Sequence, residues 1–113
     1  MESGNEACKQ RGYDIEKAVL KELEALPEAI RDQFLVALEN ISWGLNPGLT
    51  VASLSAAGRG VMELKINGRP AYRLVYTLKV PGKVVVLAAR PKTCNGPDRQ
   101  LIEVAASRLK SYA

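Results

Sequence analysis

The sequence predicts an α+β domain in which two N-terminal helices pack on a small antiparallel sheet and a C-terminal helix follows the sheet. Apolar residues recur with the 3.6-residue helical period before residue 44, alternate along residues 60–79, and return to the helical period after residue 97. Runs of helix that are separate from runs of strand are typical of the α+β class. The chain has 113 residues, of which 47% are apolar, and these values suit one domain with its own core.

The two N-terminal helices are predicted from apolar stripes and from the residues at their boundaries. Asp14 can cap the first helix. The apolar stripe of this first helix comprises Ile15, Ala18, Val19, Leu23 and Leu26. Pro27 suits the first position of the second helix, because its missing N–H would be unpaired there in any case. The stripe of that helix comprises Ile30, Phe34, Ala37, Leu38 and Ile41. Two helices joined at a proline are expected to form an antiparallel hairpin with a shared apolar face.

Three strands are predicted where the two-residue alternation replaces the helical period. Residues 60–66 and 71–79 alternate apolar with polar side chains, and Asn67-Gly68 between them is a turn signal. Pro81-Gly82 predicts a type II turn, since proline fixes the first central φ and glycine accepts the positive one. Residues 83–89 are almost continuously apolar, as expected of a central strand that is covered on both faces.

A C-terminal helix is predicted to begin near Pro97 and to run to Tyr112. Proline suits the first turn, and Asp98 is favourable at the positive end of a helix. We assign residues 1–12, which contain little apolar surface, to a flexible leader, and residues 13–113 to a single domain.

One face of the predicted sheet carries charged side chains and is expected to be partly open. Glu63, Lys65 and Arg73 all lie on the face opposite to the apolar one. Lys65 and Arg73 on adjacent strands would make a concave cationic surface. Alternatively, Arg73 only pairs with Glu63 across the hairpin, and an exposed pair of this kind contributes little stability.

The charge of the chain is distributed unevenly. Residues 58–113 contain eleven lysine and arginine residues against three acidic ones, whereas residues 1–57 are net acidic and the whole chain has a net charge of +4. A basic half suggests an anionic partner, with nucleic acid first and an acidic protein segment second. The alternative is a solvated surface that serves solubility.

Several classes of site and location are excluded by composition. The chain has no histidine, and its two cysteines, Cys8 and Cys94, cannot supply a four-ligand zinc site. The lack of histidine also excludes Ser-His-Asp and Cys-His catalysis. We therefore expect no metal and no cofactor. Without an export signal or an apolar run of about 18 residues, we expect a cytoplasmic protein with reduced thiols and no membrane contact.

Five segments of the chain form a recognisable series: Glu-Leu-Lys at 63–65, Tyr-Arg-Leu-Val-Tyr at 72–76, the apolar strand at 84–89, Arg-Pro-Lys-Thr at 90–93, and the final helix at 105–110. In this series the chain resembles the core of the RelE/ParE toxin superfamily. The two leading helices and the Pro-Lys-Thr segment are most similar to the HigB-like, phage-related (Gp49-like) branch. The resemblance implies a RelE-like α+β fold.

The same resemblance implies a function. Members of this kind are toxins of type II toxin–antitoxin systems that act as mRNA interferases on message at the ribosome. The implied partners are a cognate antitoxin, which is a small helical or helix-turn-helix protein, and mRNA with the ribosome. The implied chemistry is attack of a ribose 2′-hydroxyl on the adjacent phosphate, which needs alignment, proton transfer and cations but no metal.

The resemblance also assigns residues. The expected catalytic residues are Arg73, which stabilises the transition state, Lys65, which acts as base or phosphate ligand, and Lys92, which follows the central strand. The expected RNA-binding residues are Arg90, Glu63, Arg69 and Tyr112.

The chain departs from the family pattern at three points, which leaves other functions open. Glu63 stands where the family has a lysine, and the HigB-type histidine is absent. The family's tyrosine after the basic loop is also missing, and the nearest candidates are Tyr112 and Tyr13. One alternative is a non-nuclease member of the fold, either a ParE-like topoisomerase inhibitor or an inactive phage-derived remnant. Another is a simple basic domain that binds nucleic acid.

Overall fold

The computed structural model describes residues 9–112, which form five strands, three α-helices and a closing 3-10 turn. In chain order these are β1 (Gly12–Ile15), α1 (Lys17–Ala25), α2 (Glu28–Ser42), β2 (Thr50–Ser53), β3 (Val61–Ile66), β4 (Ala71–Thr77), β5 (Lys83–Lys92), α3 (Arg99–Leu109) and the turn Lys110–Tyr112. None of the helices in this part of the chain is long and apolar enough to cross a membrane.

The strands form a single mixed sheet in the order β1-β5-β4-β3-β2. β1 runs parallel to β5, with Gly12 opposite Lys83 and Ile15 opposite Val86, while the other neighbours are antiparallel. The predicted arrangement, two N-terminal helices on a small antiparallel sheet, is therefore wrong. A strand precedes the two helices, and the sheet has five strands of mixed direction.

Both missed strands are short edge strands. Gly12–Ile15 and Thr50–Ser53 have four residues each, which is too few for alternation to stand out from the surrounding pattern. Asp14 belongs to β1 and does not cap the first helix, because α1 begins at Lys17. Pro27 lies immediately before α2 and not at its first helical position.

Helices cover both faces of the sheet. On one face α1 and α2 bury the aromatic and aliphatic side chains that include Phe34, Leu38 and Tyr76. On the other face α3 packs through Leu101 and Ala105. The face predicted to be partly open is thus covered by α3 over its apolar centre. The reason is the apolar centre of this face, which comprises Val61, Val75, Val85, Leu87 and Ala88. Each buried valine or leucine contributes about 1.5–3 kcal/mol relative to an exposed one.

The central strand is confirmed as a strand buried on both faces. Residues 84–89 of β5 are all at most 1% exposed.

Of the predicted leader, residues 1–8, which include Cys8, lie outside the described part of the chain. At residues 10–12, the backbone N–H of Arg11 donates to Ser42 O at 2.8 Å, and its guanidinium donates to Lys83 O at 2.8 Å.

Candidate functional site

Two adjoining hollows lie at one end of the sheet, between the β3–β4 turn, the loop after β5 and the start of α3. The first, about 300 Å³, is lined by residues that include Glu63, Lys65 and Asp98. The second, about 500 Å³, is lined by the β3–β4 turn with Arg69 and by residues 93–95. Arg73 and Lys92 line both hollows. We call the combined hollow, with the side chains of Lys65, Arg69, Arg73 and Lys92, the cationic cleft.

Arg73 is the most rigidly held cation of the cleft. Only 7% of this residue is exposed. Nη1 donates to Tyr72 O at 2.9 Å, Nη2 donates to Asn67 Oδ1 at 3.4 Å, and Nε lies 3.6 Å from Glu63 Oε2. Asn67 begins the β3–β4 turn, so the turn itself orients the guanidinium. A planar group fixed in this way is suited to bidentate recognition of a phosphate or carboxylate.

The pair of Glu63 and Arg73 differs from the exposed pair that the sequence alone allowed. Their side chains are 11% and 9% exposed. Removal of one partner of a buried pair leaves an uncompensated charge, so each of these groups depends on the other. The carboxylate therefore neutralises part of the positive charge of the cleft at its floor.

Lys65 lies directly opposite Arg73 in the β3–β4 register. Side chains of residues that are directly opposite share a face of the sheet, so both point toward the cleft side. Among residues 9–112 Lys65 makes no ion pair within 4.0 Å and is half-buried. Its ammonium is thus available to an anion that enters the cleft.

Lys92, at the end of β5, organises the loop that follows it. Its Nζ donates to Cys94 O and to Gly96 O, both at 2.8 Å. Gly96 has a φ of +73°, a conformation that favours glycine and lets the loop fold back over the lysine. Because an ammonium has three N–H donors and two are used within the described part of the chain, the third can serve an incoming acceptor.

The first turn of α3 closes one side of the cleft. Asp98 caps this helix, as its Oδ1 accepts from Leu101 N–H at 3.1 Å. The prediction that Asp98 stabilises the start of the helix is confirmed. The two carboxylates that line the cleft, Glu63 and Asp98, thus have different partners. Among residues 9–112, the partner of Glu63 is cationic, whereas that of Asp98 is a backbone N–H.

Arg90 is bound to Glu22 of α1 and is not brought into the cleft. Its Nε and Nη2 donate to Glu22 Oε2 at 3.1 and 2.9 Å. Arg108 of α3 donates to the same carboxylate at 2.9 Å and to Leu87 O at 2.8 Å, and Glu22 also accepts the N–H of Ala89 at 3.0 Å. β1 pairs with β5 only as far as Val86, so this cluster satisfies the strand edge beyond it.

Burial raises the pKa of the Glu22 carboxyl, but the hydrogen bonds from Arg108, from the N–H of Ala89 and from Arg90 outweigh it, and the net pKa lies below its usual value. Glu22 therefore stays ionised at neutral pH and joins three elements. Sequence reasoning missed this cluster, because its members are separated by 68 and 86 positions along the chain and no local pattern links them.

Tyr112 lies away from the cleft. Its hydroxyl donates to Asp14 Oδ1 at 3.2 Å, and burial together with the Asp14 charge raises its pKa to about 12. Of the other three tyrosines, Tyr13 bonds a carboxylate of α2, and Tyr72 and Tyr76 are buried under α1 and α2. All four tyrosines of the chain are therefore placed outside the cleft.

The structure brings five of the seven predicted site residues together and places two elsewhere. Those in the cleft are Glu63, Lys65, Arg69, Arg73 and Lys92. Those bound elsewhere are Arg90 and Tyr112. The alternation of β3 and β4 was sufficient to place Lys65 and Arg73 on one face, whereas no signal in the sequence showed that Glu22 would bind Arg90.

Comparisons with known proteins agree with this fold. The sequence profile of the family described as "Phage derived protein Gp49-like (DUF891)" matches residues 21–110. A solved structure of the E. coli toxin RelE in the free state, in a mutant with two arginines replaced by alanine, superposes with a TM-score of 0.63 at 20% identity, and covers 89% of this chain and 99% of that chain. This likeness shows a shared fold. No curated protein sequence matches the chain.

Proposed function

Because this chain belongs to the Gp49-like family of phage-derived proteins, within the RelE/ParE toxin superfamily, and has the fold of RelE, we propose that it is the toxin of a type II toxin–antitoxin pair and cleaves mRNA. The observation that carries the proposal is the convergence of Lys65, Arg73 and Lys92 on one cleft. When Arg69 is included, the cleft is lined by four cationic side chains and by two carboxylates. The cleft therefore favours a polyanion.

The proposed reaction is internal transesterification of RNA. The ribose 2′-oxygen attacks the adjacent phosphorus and forms a P–O bond, while the bond to the 5′-oxygen of the next nucleotide breaks. The products are a 2′,3′-cyclic phosphate and a 5′-hydroxyl end. DNA lacks the nucleophile and is not a substrate. The enzyme must align the phosphate, remove the 2′ proton, protonate the leaving oxygen and stabilise the pentacoordinate transition state.

The cleft contains a group for each of these tasks. Arg73, fixed by its neighbours, stabilises the charge on the equatorial phosphoryl oxygens. Lys92 and Lys65 bind the phosphate. The ammonium group of either lysine can donate a proton to the leaving 5′-oxygen. No tyrosine lies in the cleft and the chain has no histidine, so we assign removal of the 2′ proton to Glu63, a carboxylate in contact with the cleft.

A second function is favoured by the two predicted site residues that lie outside the cleft. Tyr112 is bound to Asp14, and Arg90 is bound to Glu22, so neither contributes to the cleft. A non-nuclease member of the fold, such as a ParE-like topoisomerase inhibitor, would need no proton-transfer groups there. It would arrest growth without cutting RNA, and its effect would not depend on Arg73.

Induced expression in a bacterial host tests the proposal. New mRNA 5′ ends are mapped by primer extension for the wild-type chain, for Arg73→Ala and for the control Arg59→Ala, which removes the same charge at an exposed loop position. We expect new cuts for the wild type and for Arg59→Ala but not for Arg73→Ala, with circular dichroism showing that all three are folded. Growth arrest without cuts would support the second function instead.

A further inference from the structure

An exposed apolar and aromatic surface lies on the other side of the sheet from the cationic cleft. Leu35 of α2 and Trp43, the residue that follows α2, are 44% and 43% exposed, and Tyr13 of β1 is 40% exposed. These three side chains surround Glu39, and we call the four residues the α2–β1 patch. Contiguous exposed apolar groups of this kind are typical of protein interaction sites.

Glu39 holds both aromatic side chains of the patch in position. Its Oε2 accepts from Trp43 Nε1 at 3.0 Å, and its Oε1 accepts from the Tyr13 hydroxyl at 3.0 Å. Gln10 Nε2 lies 3.4 Å from both carboxylate oxygens. Side chains that are already ordered lose less entropy when a partner binds, and tryptophan and tyrosine are enriched among the residues that dominate binding energy.

The shape of the patch suits a helix. Leu35, Glu39 and Trp43 follow one another at i, i+4 and i+8 and form a ridge along α2 that ends at the residue after the helix. A ridge of this kind packs into the groove of a second helix. Beside the ridge, a hollow of about 250 Å³ is lined by Tyr13, Ile15 and Leu35 together with residues 38 and 39. The ridge is distinct from the side of α2 that is buried against the sheet, which carries Phe34, Ala37, Leu38 and Ile41.

The charge of the patch defines the partner. Asp32 and Glu39 lie on the flank of the ridge and on the ridge itself, whereas Arg31, one turn before Leu35, is the single basic residue of α2, so the balance of charge on this surface is acidic. Of the hydrogen-bond donors to Glu39 in the described part of the chain, none is cationic. We propose that the α2–β1 patch is the docking site for a cationic amphipathic helix of a partner protein.

In this docked state apolar side chains of the partner cover Leu35 and Trp43, and its lysine or arginine side chains pair with Glu39 and Asp32. The patch is on the α1–α2 side of the sheet, whereas the cationic cleft is on the α3 side. The proposal therefore does not depend on what the cleft binds, and the two surfaces can be occupied at the same time.

The single tryptophan of the chain makes the patch directly observable. The sequence contains one tryptophan, Trp43, so its fluorescence reports on this surface alone. The probe is a synthetic helical peptide with leucine at i, i+3, i+4 and i+7 and lysine elsewhere, and the control peptide has glutamate in place of lysine. We expect a saturable blue shift of Trp43 emission with the lysine peptide and no shift with the glutamate peptide.

Two matched variants of the full chain establish where the peptide binds. Leu35→Asp places a charge on the ridge, whereas Leu78→Asp places the same charge at an exposed leucine beyond β4, two strands from β1. We expect Leu35→Asp to weaken binding about tenfold or more, a loss of about 1.4 kcal/mol, and Leu78→Asp to leave it unchanged. Both positions are exposed, and circular dichroism checks that each variant is folded.

Three outcomes would overturn the proposal. The first is the absence of a shift with the lysine peptide. The second is equal binding of the glutamate peptide, or equal loss in both variants, which would show attraction that is not specific to the patch. The third is a dimer in sedimentation analysis that Leu35→Asp dissociates, which would show that a second copy of this chain covers the patch.

Discussion

Lys65 and Arg73 lie directly opposite each other on antiparallel strands, and Arg73 in turn lies opposite Arg90 on β5. Three cationic residues in one row across a sheet repel one another unless anions separate them. Glu63 contacts Arg73, and Glu22 binds Arg90. The fold thus places a carboxylate beside two of the three cations, whereas Lys65 has no ion pair among residues 9–112.

Glu63→Gln is expected to lower RNA cleavage by about 100-fold or more, because the amide cannot accept the 2′ proton, and general-base catalysis contributes about 10²–10⁴-fold. The cleavage rate of a mapped message measures this loss. The control is Glu103→Gln on the exposed side of α3, which is expected to cleave normally. If Glu63→Gln cleaves at the wild-type rate, another group is the base.

Tyr112→Phe is expected to leave cleavage unchanged, since its hydroxyl binds Asp14 and not the cleft. In a spectrophotometric titration the wild type should show a contribution from a tyrosine that ionises at a pH of about 12, and the variant should have one such tyrosine fewer. A large loss of cleavage in this variant would place Tyr112 in the active site, in disagreement with its position here.

Glu22→Gln is expected to destabilise the protein by about 2 kcal/mol, because Arg90 and Arg108 would lose their charged acceptor while remaining partly buried. Urea unfolding followed by circular dichroism measures the change. Glu24→Gln, on the exposed side of the same helix, serves as the control and should change stability by less than about 0.5 kcal/mol. Equal stability of the two variants would contradict a structural role for the cluster.

The contribution of Glu22 to stability should depend on pH. Its pKa in the folded protein lies below the ordinary value of 4.5, so the unfolded chain takes up the proton first as the pH falls. The contribution is therefore complete above pH 4.5 and is lost as the pH falls through the lower, folded value. The difference in unfolding free energy between wild type and Glu22→Gln should shrink over this acidic range. A difference that stays constant from pH 7 to pH 3 would be inconsistent with this cause.

Local patterns predicted the parts of the fold that local contacts build. The β3–β4 hairpin follows from alternation and from the turn at Asn67-Gly68, and it places Lys65 opposite Arg73. The buried β5 follows from the continuous apolar run at 84–89.

The parts that were not predicted depend on contacts between distant segments. The parallel pairing of Tyr13 with Val84 joins residues 71 positions apart, and four residues carry too little pattern to reveal it. The position of Arg90 outside the cleft could not be predicted either. It results from the bond to Glu22, which lies on a helix whose orientation is fixed only in the folded chain.

The most direct test of the central claim uses a message with a single 2′-deoxy nucleotide. The cut site is first mapped on ribosome-bound mRNA, and a message with deoxyribose at the 5′ side of that site is then compared with the all-ribose message. We predict that the substitution abolishes cleavage there, and that the ribose message yields a 2′,3′-cyclic phosphate and a 5′-hydroxyl. Continued cleavage at the deoxy site, or no cleavage of either message by the folded protein, would contradict the account.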